Sequence, residues 1–168
     1  VSTSILVPKP FTPFQWAPMA RPEIVDERIK AVRGAIKSRS IVYNYHEQET
    51  SFMEAVFARG DRRTCDVLIK AFEKGAKFDG WSEYFNMEIW NEAMEECNLD
   101  SEFYVYRERE YDEILPWDFI DIGVNRKYME RENEKAKKAE LTKNCLEGCT
   151  GCGINVNFKE GKCFEGAI

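Results

Sequence analysis

Apolar residues recur at helical spacing along much of the chain and predict a largely helical protein. Pro22 suits the first turn of the first helix, and the Gly60-Asp61 pair separates the second helix from the third. Asp100 follows the fourth helix and can cap a further short helical turn. The first four predicted helices cover residues 22–37, 50–57, 62–74 and 87–97.

Two segments rich in β-branched and aromatic residues predict strands on either side of the first helix. They cover residues 2–7 and 41–45. Pro8, Pro10 and Pro13 end the first strand, since proline fixes φ and has no amide hydrogen to donate. The order strand, helix, strand followed by helices predicts a fold that is α/β or mostly α.

A mostly charged helix is predicted near residues 125–140, where it leads into a cysteine-rich tail. We therefore divide the chain into residues 1–46 with the strands and first helix, a helical part at 47–124, and the charged helix with its tail at 125–168. The chain starts at Val1 without an initiator methionine and enters a strand at once. We expect it to be a fragment of a longer protein.

The composition, with 43% hydrophobic residues in 168, is sufficient for one buried core. The net charge of −6 argues against a broad nucleic-acid-binding face, because such affinity comes mainly from Lys and Arg neutralising phosphates. The sequence contains neither a run of about 18 apolar residues nor the layout of a signal peptide. We expect a cytoplasmic protein without membrane contact.

Four of the six cysteines lie close together near the end of the chain, as Cys145-x3-Cys149-x2-Cys152 and then Cys163. Thiols stay reduced in the cytosol, and four thiolates can hold a [4Fe-4S] cluster or close a tetrahedral zinc site. We favour the cluster over zinc, and the alternative is a flexible tail without metal. The spacing of the first three also matches the radical-SAM cluster motif, although Gly151 replaces its usual aromatic residue.

The other two cysteines, Cys65 and Cys97, lie within apolar helical patterns and are predicted to be small buried hydrophobes. In the helix that contains Cys65, the spacing places several apolar residues on one predicted buried face. These residues are Val67, Leu68, Ala71 and Phe72.

Two polar turns are candidate binding sites. Around Gly60, the side chains of Arg59, Asp61, Arg62 and Arg63 could bind a carboxylate or phosphate, or could simply lock the turn through Arg–Asp pairs. The second turn places Asp79, Trp81 and Glu83 around a glycine as a candidate binding lip, with solvated or helix-capping carboxylates as the alternative. The only histidine, His46, is a further polar candidate whose alternative role is structural.

Six short motifs occur in order along nearly the whole chain: VPKPFTPFQW at 7–16, ETSF at 49–52, FARGDRR at 57–63, FDGWSE at 78–83, LPWD at 115–118 and GCTGCG at 148–153. Together they resemble the C-terminal part of a family of radical-SAM proteins that carry an N-terminal cobalamin-binding-type domain. One departure is Phe11, which stands where the family pattern has a histidine.

The resemblance implies that residues 2–7 are the last strand of a radical-SAM partial barrel, followed by a largely helical C-terminal extension with a Cys-rich tail. It places Lys9, Gln15 and Trp16 at the barrel mouth beside S-adenosylmethionine. The main cluster and any cobalamin would be bound upstream, so the chain would not be catalytic alone.

The implied function is to shape substrate access in a radical-SAM iron-sulfur enzyme and to hold an auxiliary cluster. Its partners would be the upstream domains and an RNA or protein substrate. The expected substrate-side residues are His46, Arg59, Asp61, Arg62, Arg63, Asp79, Trp81 and Glu83. The second hypothesis is a non-catalytic zinc-binding module for a protein or RNA partner. An exposed strand at residues 2–7 also predicts a homodimer through that edge.

Overall fold

The computed structural model describes residues 1–158 and divides the chain into two compact units. The first unit comprises residues 1–9 and 17–109, and the second comprises residues 10–16 and, among the described residues, 110–158. The elements of the described residues are β1 (Ser2–Thr3), α1 (Pro22–Ala35), β2 (Asn44–Tyr45), α2 (Gln48–Arg59), α3 (Arg63–Glu73), α4 (Met87–Glu96), α5 (Ser101–Val105), α6 (Arg126–Lys137) and α7 (Ile154–Asn157).

The two strands form a small parallel sheet in the first unit. Ser2 pairs with Asn44 and Thr3 with Tyr45, while α1 provides the connection between the strands. Both strands are shorter than predicted, because the chain leaves the ladder after Thr3 and buries Val7 in the core. The predicted class, α/β or mostly α, is confirmed at this level: the described residues are mostly helical with one two-stranded parallel sheet.

The predicted helix boundaries correspond closely to those observed. Pro22 is the first residue of α1, and Gly60 ends α2. The Asp100 carboxylate caps α5 by accepting a hydrogen bond from the amide of Phe103 at 3.2 Å. In the part of the chain that the structure describes, no helix combines the length and apolar character needed to cross a membrane.

Each unit has its own apolar core. The core of the first unit contains residues from α2, α3, α4 and α5, including Val56, Val67, Trp90 and Val105. The core of the second consists of Trp16, Leu115, Trp117 and Met129, with Tyr111 packed against it. Burial of apolar surface in these clusters is the main source of stability for each unit.

The predicted buried face of α3 is partly wrong. Val67 and Ala71 are buried as expected, but Leu68 and Phe72 are exposed. Residues 67 and 71 are four positions apart and share a face, whereas the next residue along is turned by about 100° toward solvent. Cys65 is likewise exposed rather than buried, so its predicted role as a core hydrophobe is wrong.

Candidate functional site

Arg59, at the C-terminal end of α2, is completely buried in the first unit. Its guanidinium donates from Nε to the carbonyl oxygen of Tyr104 at 2.6 Å, from Nη1 to that of Ala17 at 2.5 Å and from Nη2 to that of Arg107 at 2.8 Å. The forked donor geometry of arginine suits three acceptors at once. In this structure Arg59 therefore connects three backbone segments and offers no surface to a ligand.

Asp61 and Arg63 form a closed ionic turn directly after α2. Asp61 accepts hydrogen bonds from the Arg63 amide at 2.9 Å and from Arg63 Nη2 at 2.7 Å, and a third from the hydroxyl of Tyr104 at 2.9 Å. The hydrogen bond from the Arg63 side chain is the main cause that lowers the pKa of Asp61 far below its usual range. Asp61 and Arg63 thus neutralise each other, and the exposed Arg62 is the more accessible cation of this turn.

The hydrogen bond between Tyr104 and Asp61 raises the pKa of Tyr104, whereas it lowers that of Asp61. Burial, followed by the hydrogen bond to the Asp61 carboxylate, raises the pKa of Tyr104 to about 12. The phenol therefore stays protonated at neutral pH and acts as a donor. This arrangement fits a stabilised turn between α2 and α3 rather than a proton-transfer site.

The loop between α3 and α4 brings together the second predicted group, Asp79, Trp81 and Glu83. Trp81 and Glu83 are exposed, while Asp79 is half-buried. The loop folds through successive turns, with the Trp81 amide bonded to the carbonyl oxygen of Phe78 and the Tyr84 amide to that of Trp81, both at 3.0 Å. The candidate binding lip is thus an ordered, solvent-facing loop.

His46 follows β2 and is exposed. Its amide donates to the carbonyl oxygen of Thr3 at 3.3 Å, which extends the parallel ladder by one bond. This bond places His46 at the end of the sheet, and its contact with a substrate stays a prediction.

Gln15 and Trp16, predicted to lie near S-adenosylmethionine, are both buried in the second unit. The Gln15 Oε1 atom accepts hydrogen bonds from Trp117 Nε1 at 2.7 Å and from the Phe11 amide at 3.2 Å. The ring of Trp16 meets that of Tyr111 edge to face, with 4.9 Å between centroids. Both residues organise the core of their unit, and their contact with a cofactor stays a prediction. The third such residue, Lys9, belongs to the first unit and forms an ion pair with Glu54.

A cavity of about 290 Å³ lies in the second unit beside Gln15. Asp118, Asp121 and Arg126 contribute its charged lining, and Asp121 Oδ1 accepts a hydrogen bond from the Gly123 amide at 2.7 Å. The other two form an ion pair, with 2.6 Å between Arg126 Nη1 and Asp118 Oδ2, and Arg126 Nη2 also donates to the carbonyl oxygens of Tyr111 and Glu113. The charged walls of this cavity are therefore held by internal contacts.

The cysteine loop follows α6. Cys145 and Cys149 are exposed and Cys152 is half-buried, while Cys163 lies outside the described residues. Cys149 Sγ accepts a hydrogen bond from the Gly151 amide at 3.4 Å, the kind of contact that stabilises a thiolate ligand. Among residues 1–158, no three His, Cys, Asp or Glu side chains are close enough to hold one metal ion. The metal site therefore stays a prediction.

Backbone contacts anchor the cysteine loop to α6. The amide of Asn125 donates to the carbonyl oxygen of Cys152 at 2.8 Å, and Arg131 Nη2 donates to that of Thr150 at 2.7 Å. Gly153 has φ of +106°, and a Cβ atom there would lie 2.7 Å from the Asn125 side chain. Glycine is therefore required where the loop contacts the start of α6.

Sequence reasoning missed several residues that organise these sites. Tyr104 and Arg109 contact the ionic turn and Arg59 from more than 40 positions away, and nothing in the local pattern indicates such contacts. Phe78 and Tyr84 extend the loop around Trp81, and the signal available for them was the density of aromatic residues in that segment.

Comparison of the chain with protein-family models, with curated proteins and with solved structures gives no match.

Proposed function

We propose that this chain is the C-terminal portion of a radical-SAM iron-sulfur enzyme, in which it shapes substrate access and carries an auxiliary [4Fe-4S] cluster. The observation that carries the proposal is the unit β1–α1–β2. Parallel neighbouring strands require a crossover connection, usually a helix, and this unit is the repeating element of α/β barrels. A terminal barrel strand followed by an extension would leave such a unit.

An open apolar groove of about 670 Å³ beside this unit supports the same proposal. Ile5 and Leu6, just after β1, and the α1 residues Ile24 and Ile29 contribute to its lining. Leu6 and Ile24 are exposed. An upstream barrel strand and helix would cover this surface and pair with the open edge of β1, which otherwise favours the homodimer expected from the sequence.

The donor chemistry of the cysteine loop fits a cluster. Cys145, Cys149 and Cys152, with Cys163 as the fourth ligand, would supply the thiolates that iron-sulfur clusters require. The Gly151 amide already points to Cys149 Sγ. When bound through four thiolates, the cluster would supply a redox centre, while the residues of this chain position it through α6.

The substrate side of the proposed enzyme lies on the exposed residues Arg62, Trp81 and Glu83, with His46 near the sheet edge. S-adenosylmethionine and any cobalamin would be bound by the upstream domains, so the isolated chain would be inactive. The substrate would be an RNA or a protein, and the enzyme would be cytoplasmic.

Anaerobic purification with iron, sulfide and zinc analysis tests the metal part of this proposal. We expect a brown protein with about four irons and four sulfides per chain. A double variant, Cys149→Ala with Cys152→Ala, is expected to lose the metal, whereas the control Cys65→Ala alters an exposed thiol in α3 and should retain it. Colourless protein containing zinc would support the alternative function, a zinc-binding interaction module. Protein without either metal would contradict both.

The reading frame upstream of Val1 tests the fragment part. The proposal requires an in-frame extension that encodes further strand-helix repeats and a separate Cys-x3-Cys-x2-Cys motif. A start codon immediately before Val1 would contradict it.

A further inference from the structure

Three aromatic side chains, Phe78, Trp81 and Tyr84, lie exposed in the loop between α3 and α4, and the Phe78 ring is close to both of the others. Their exposed fractions are 67%, 59% and 59%. The ring centroid of Phe78 is 6.3 Å from that of Trp81 and 6.0 Å from that of Tyr84. We call these three residues the aromatic trio. Isolated apolar residues at the surface are common, but three rings grouped in one short loop indicate a contact surface.

The geometry of the aromatic trio leaves ring faces open to solvent. The Phe78 ring is inclined by 73° to that of Trp81 and by 58° to that of Tyr84, so neither pair is stacked face to face. Phe78 also has φ of +60°, a left-handed conformation that costs a non-glycine residue about 1 kcal/mol or more. The loop thus keeps Phe78 in an unfavourable conformation that presents its side chain outward.

Two carboxylates, Asp79 and Glu83, lie in the same loop as the aromatic trio. Asp79 Oδ1 is buried and has no hydrogen-bond donor among the residues that the structure describes, and Glu83 is exposed in the same loop. The adjacent helix α4 carries four glutamates and no lysine or arginine. Two of these glutamates hold Lys74, with 2.8 Å to Glu92 and 2.7 Å to Glu96. Against these six carboxylates, residues 74–96 contain two lysines, Lys74 and the exposed Lys77, so the net negative charge of the segment favours a positively charged ligand.

We infer that the aromatic trio and Asp79 form a binding site for an alkylammonium group, such as a lysine or methylated amine carried by the substrate. Aromatic faces attract cations through the ring quadrupole, and Trp is the strongest of the three ring types. That the ammonium group belongs to a substrate rests on the proposed function. The binding site itself adds the chemical class that the loop between α3 and α4 would recognise.

The shape and charge of the site distinguish an ammonium from other ligands. A guanidinium stacks flat on one aromatic face, whereas rings inclined to one another suit a compact, roughly spherical cation. Single-stranded nucleic acid also stacks on aromatic residues, but it requires a positively charged groove, and the surroundings here are acidic.

Tryptophan provides a selective probe of this site. Of the four tryptophans, Trp81 is 59% exposed, while Trp16, Trp90 and Trp117 are 1%, 5% and 6% exposed. In protein labelled with 5-fluorotryptophan, tetramethylammonium chloride added at constant ionic strength should shift the fluorine resonance of Trp81 and leave the other three in place. We expect saturation with a dissociation constant on the order of 10 mM, from about three exposed cation–π contacts.

Two comparisons separate charge recognition from apolar contact. Choline should bind at least threefold more tightly than its neutral isostere 3,3-dimethyl-1-butanol. Equal binding of the two compounds, or a shift that never saturates, would overturn the inference. Methylguanidinium binding more tightly than tetramethylammonium would overturn the assignment to an ammonium group.

Variants of Phe78 and Asp79, followed by the fluorine resonance of Trp81, test whether these two residues contribute to binding. Phe78→Leu and Asp79→Asn should each weaken binding about threefold or more, with unchanged resonances of the three buried tryptophans as the check on folding. The matched control Phe72→Leu alters another exposed aromatic residue, over which Lys77 Nζ lies at 5.6 Å, and should leave affinity unchanged. Equal loss in the control would overturn the site. The fluorine resonance reports cation binding independently of the iron analysis. Protein that contains no iron or zinc after anaerobic purification but still binds choline would contradict the proposed function and leave the cation site supported.

Discussion

Arg109 donates a hydrogen bond of 2.5 Å from its Nη2 atom to the backbone carbonyl oxygen of Arg59. Both arginines are buried, and Arg59 in turn donates to three other carbonyl oxygens. A buried guanidinium is costly unless its donors find acceptors, and backbone carbonyl oxygens accept from Arg59 Nε, Nη1 and Nη2 and from Arg109 Nη2. Within the first unit, these two side chains therefore connect α2 to the chain around α5.

Replacement of Arg59 by methionine should destabilise the first unit by about 3 kcal/mol or more. The substitution keeps apolar volume but leaves the carbonyl oxygens of Tyr104, Ala17 and Arg107 without their donor, and each such loss costs about 1–3 kcal/mol. Urea denaturation monitored by circular dichroism would measure the change. The neighbouring exposed residue offers a matched control, because Arg62→Met should alter stability by less than about 0.5 kcal/mol. Similar effects of the two variants would contradict the structural role of Arg59.

Asp61→Asn should lower stability by about 1–2 kcal/mol at neutral pH, because it weakens the hydrogen bonds from Arg63 and Tyr104. The pKa of Asp61 is lowered in the folded protein, chiefly by the Arg63 side chain, from an ordinary value near 3.8. Its stabilising contribution is therefore complete above that value and is lost as the pH falls below it. The difference in the free energy of unfolding between wild type and Asp61→Asn should be largest at pH 7 and should become smaller below about pH 4.

The control for this pH dependence is the exposed Glu83→Gln variant in the loop between α3 and α4. It should show no comparable gap at either pH. A stability difference between Asp61→Asn and wild type that is the same at pH 3 and pH 7 would contradict the ionic origin of the effect.

Local sequence patterns predicted the helices but not the contacts that select among their faces. The boundaries of α1 and α5 follow from Pro22 and Asp100, which act within one helical turn. In α3, by contrast, four apolar residues span more than one face, and the packing of α4 decides that Val67 is buried while Phe72 is exposed. Hydrophobic periodicity gives a stripe, and tertiary contacts decide how much of it is covered.

The candidate sites show the same limit. An arginine at the C-terminal end of a helix is ordinarily explained by the helix dipole, so Arg59 gave no sign that it would be buried. Its acceptors at Ala17, Tyr104 and Arg107 are more than 40 residues away in sequence. Asp79, Trp81 and Glu83, in contrast, lie within one short loop, so the local sequence was sufficient to group them as a candidate binding lip.

The turn at Gly60 allows a further matched test. A Cβ atom at Gly60 would lie 2.5 Å from the carbonyl oxygen of Val56 and would also clash with the Thr64 side chain, so Gly60→Ala should destabilise the first unit by about 1–3 kcal/mol. Gly34, inside α1, has nothing within 4 Å of the same position. Gly34→Ala should therefore stabilise the protein by about 0.5–1 kcal/mol through helix propensity.

Thermal unfolding of the two glycine variants under identical conditions measures this difference. We expect melting temperatures on opposite sides of the wild-type value. A Gly60→Ala protein as stable as wild type would show that the turn relaxes without cost and would contradict the close packing between α2 and α3 at this point.

Asn133 provides the corresponding test in the second unit, where it is buried on α6. Its Oδ1 atom accepts from the Tyr111 hydroxyl at 2.5 Å and its Nδ2 atom donates to the carbonyl oxygen of Pro13 at 2.6 Å. Asn133→Leu keeps the side-chain size but removes the donor to the Pro13 carbonyl oxygen and leaves the Tyr111 hydroxyl with Glu134 as its acceptor, which should cost about 1–2 kcal/mol. Hydrogen exchange should then accelerate along α6 and leave α2 in the first unit unchanged.

The matched control is the Glu134→Gln variant at the exposed neighbouring position. In the wild type, the Tyr111 hydroxyl donates to Glu134 Oε1 at 2.6 Å, and glutamine retains an oxygen atom that can accept this bond. This variant should exchange at the wild-type rate along α6. If Asn133→Leu also did so, the hydrogen bonds of Asn133 would not be what holds α6 to the segment around Pro13. Acceleration in both variants would instead assign the stabilisation to the Tyr111 hydroxyl, since that group is the contact they share.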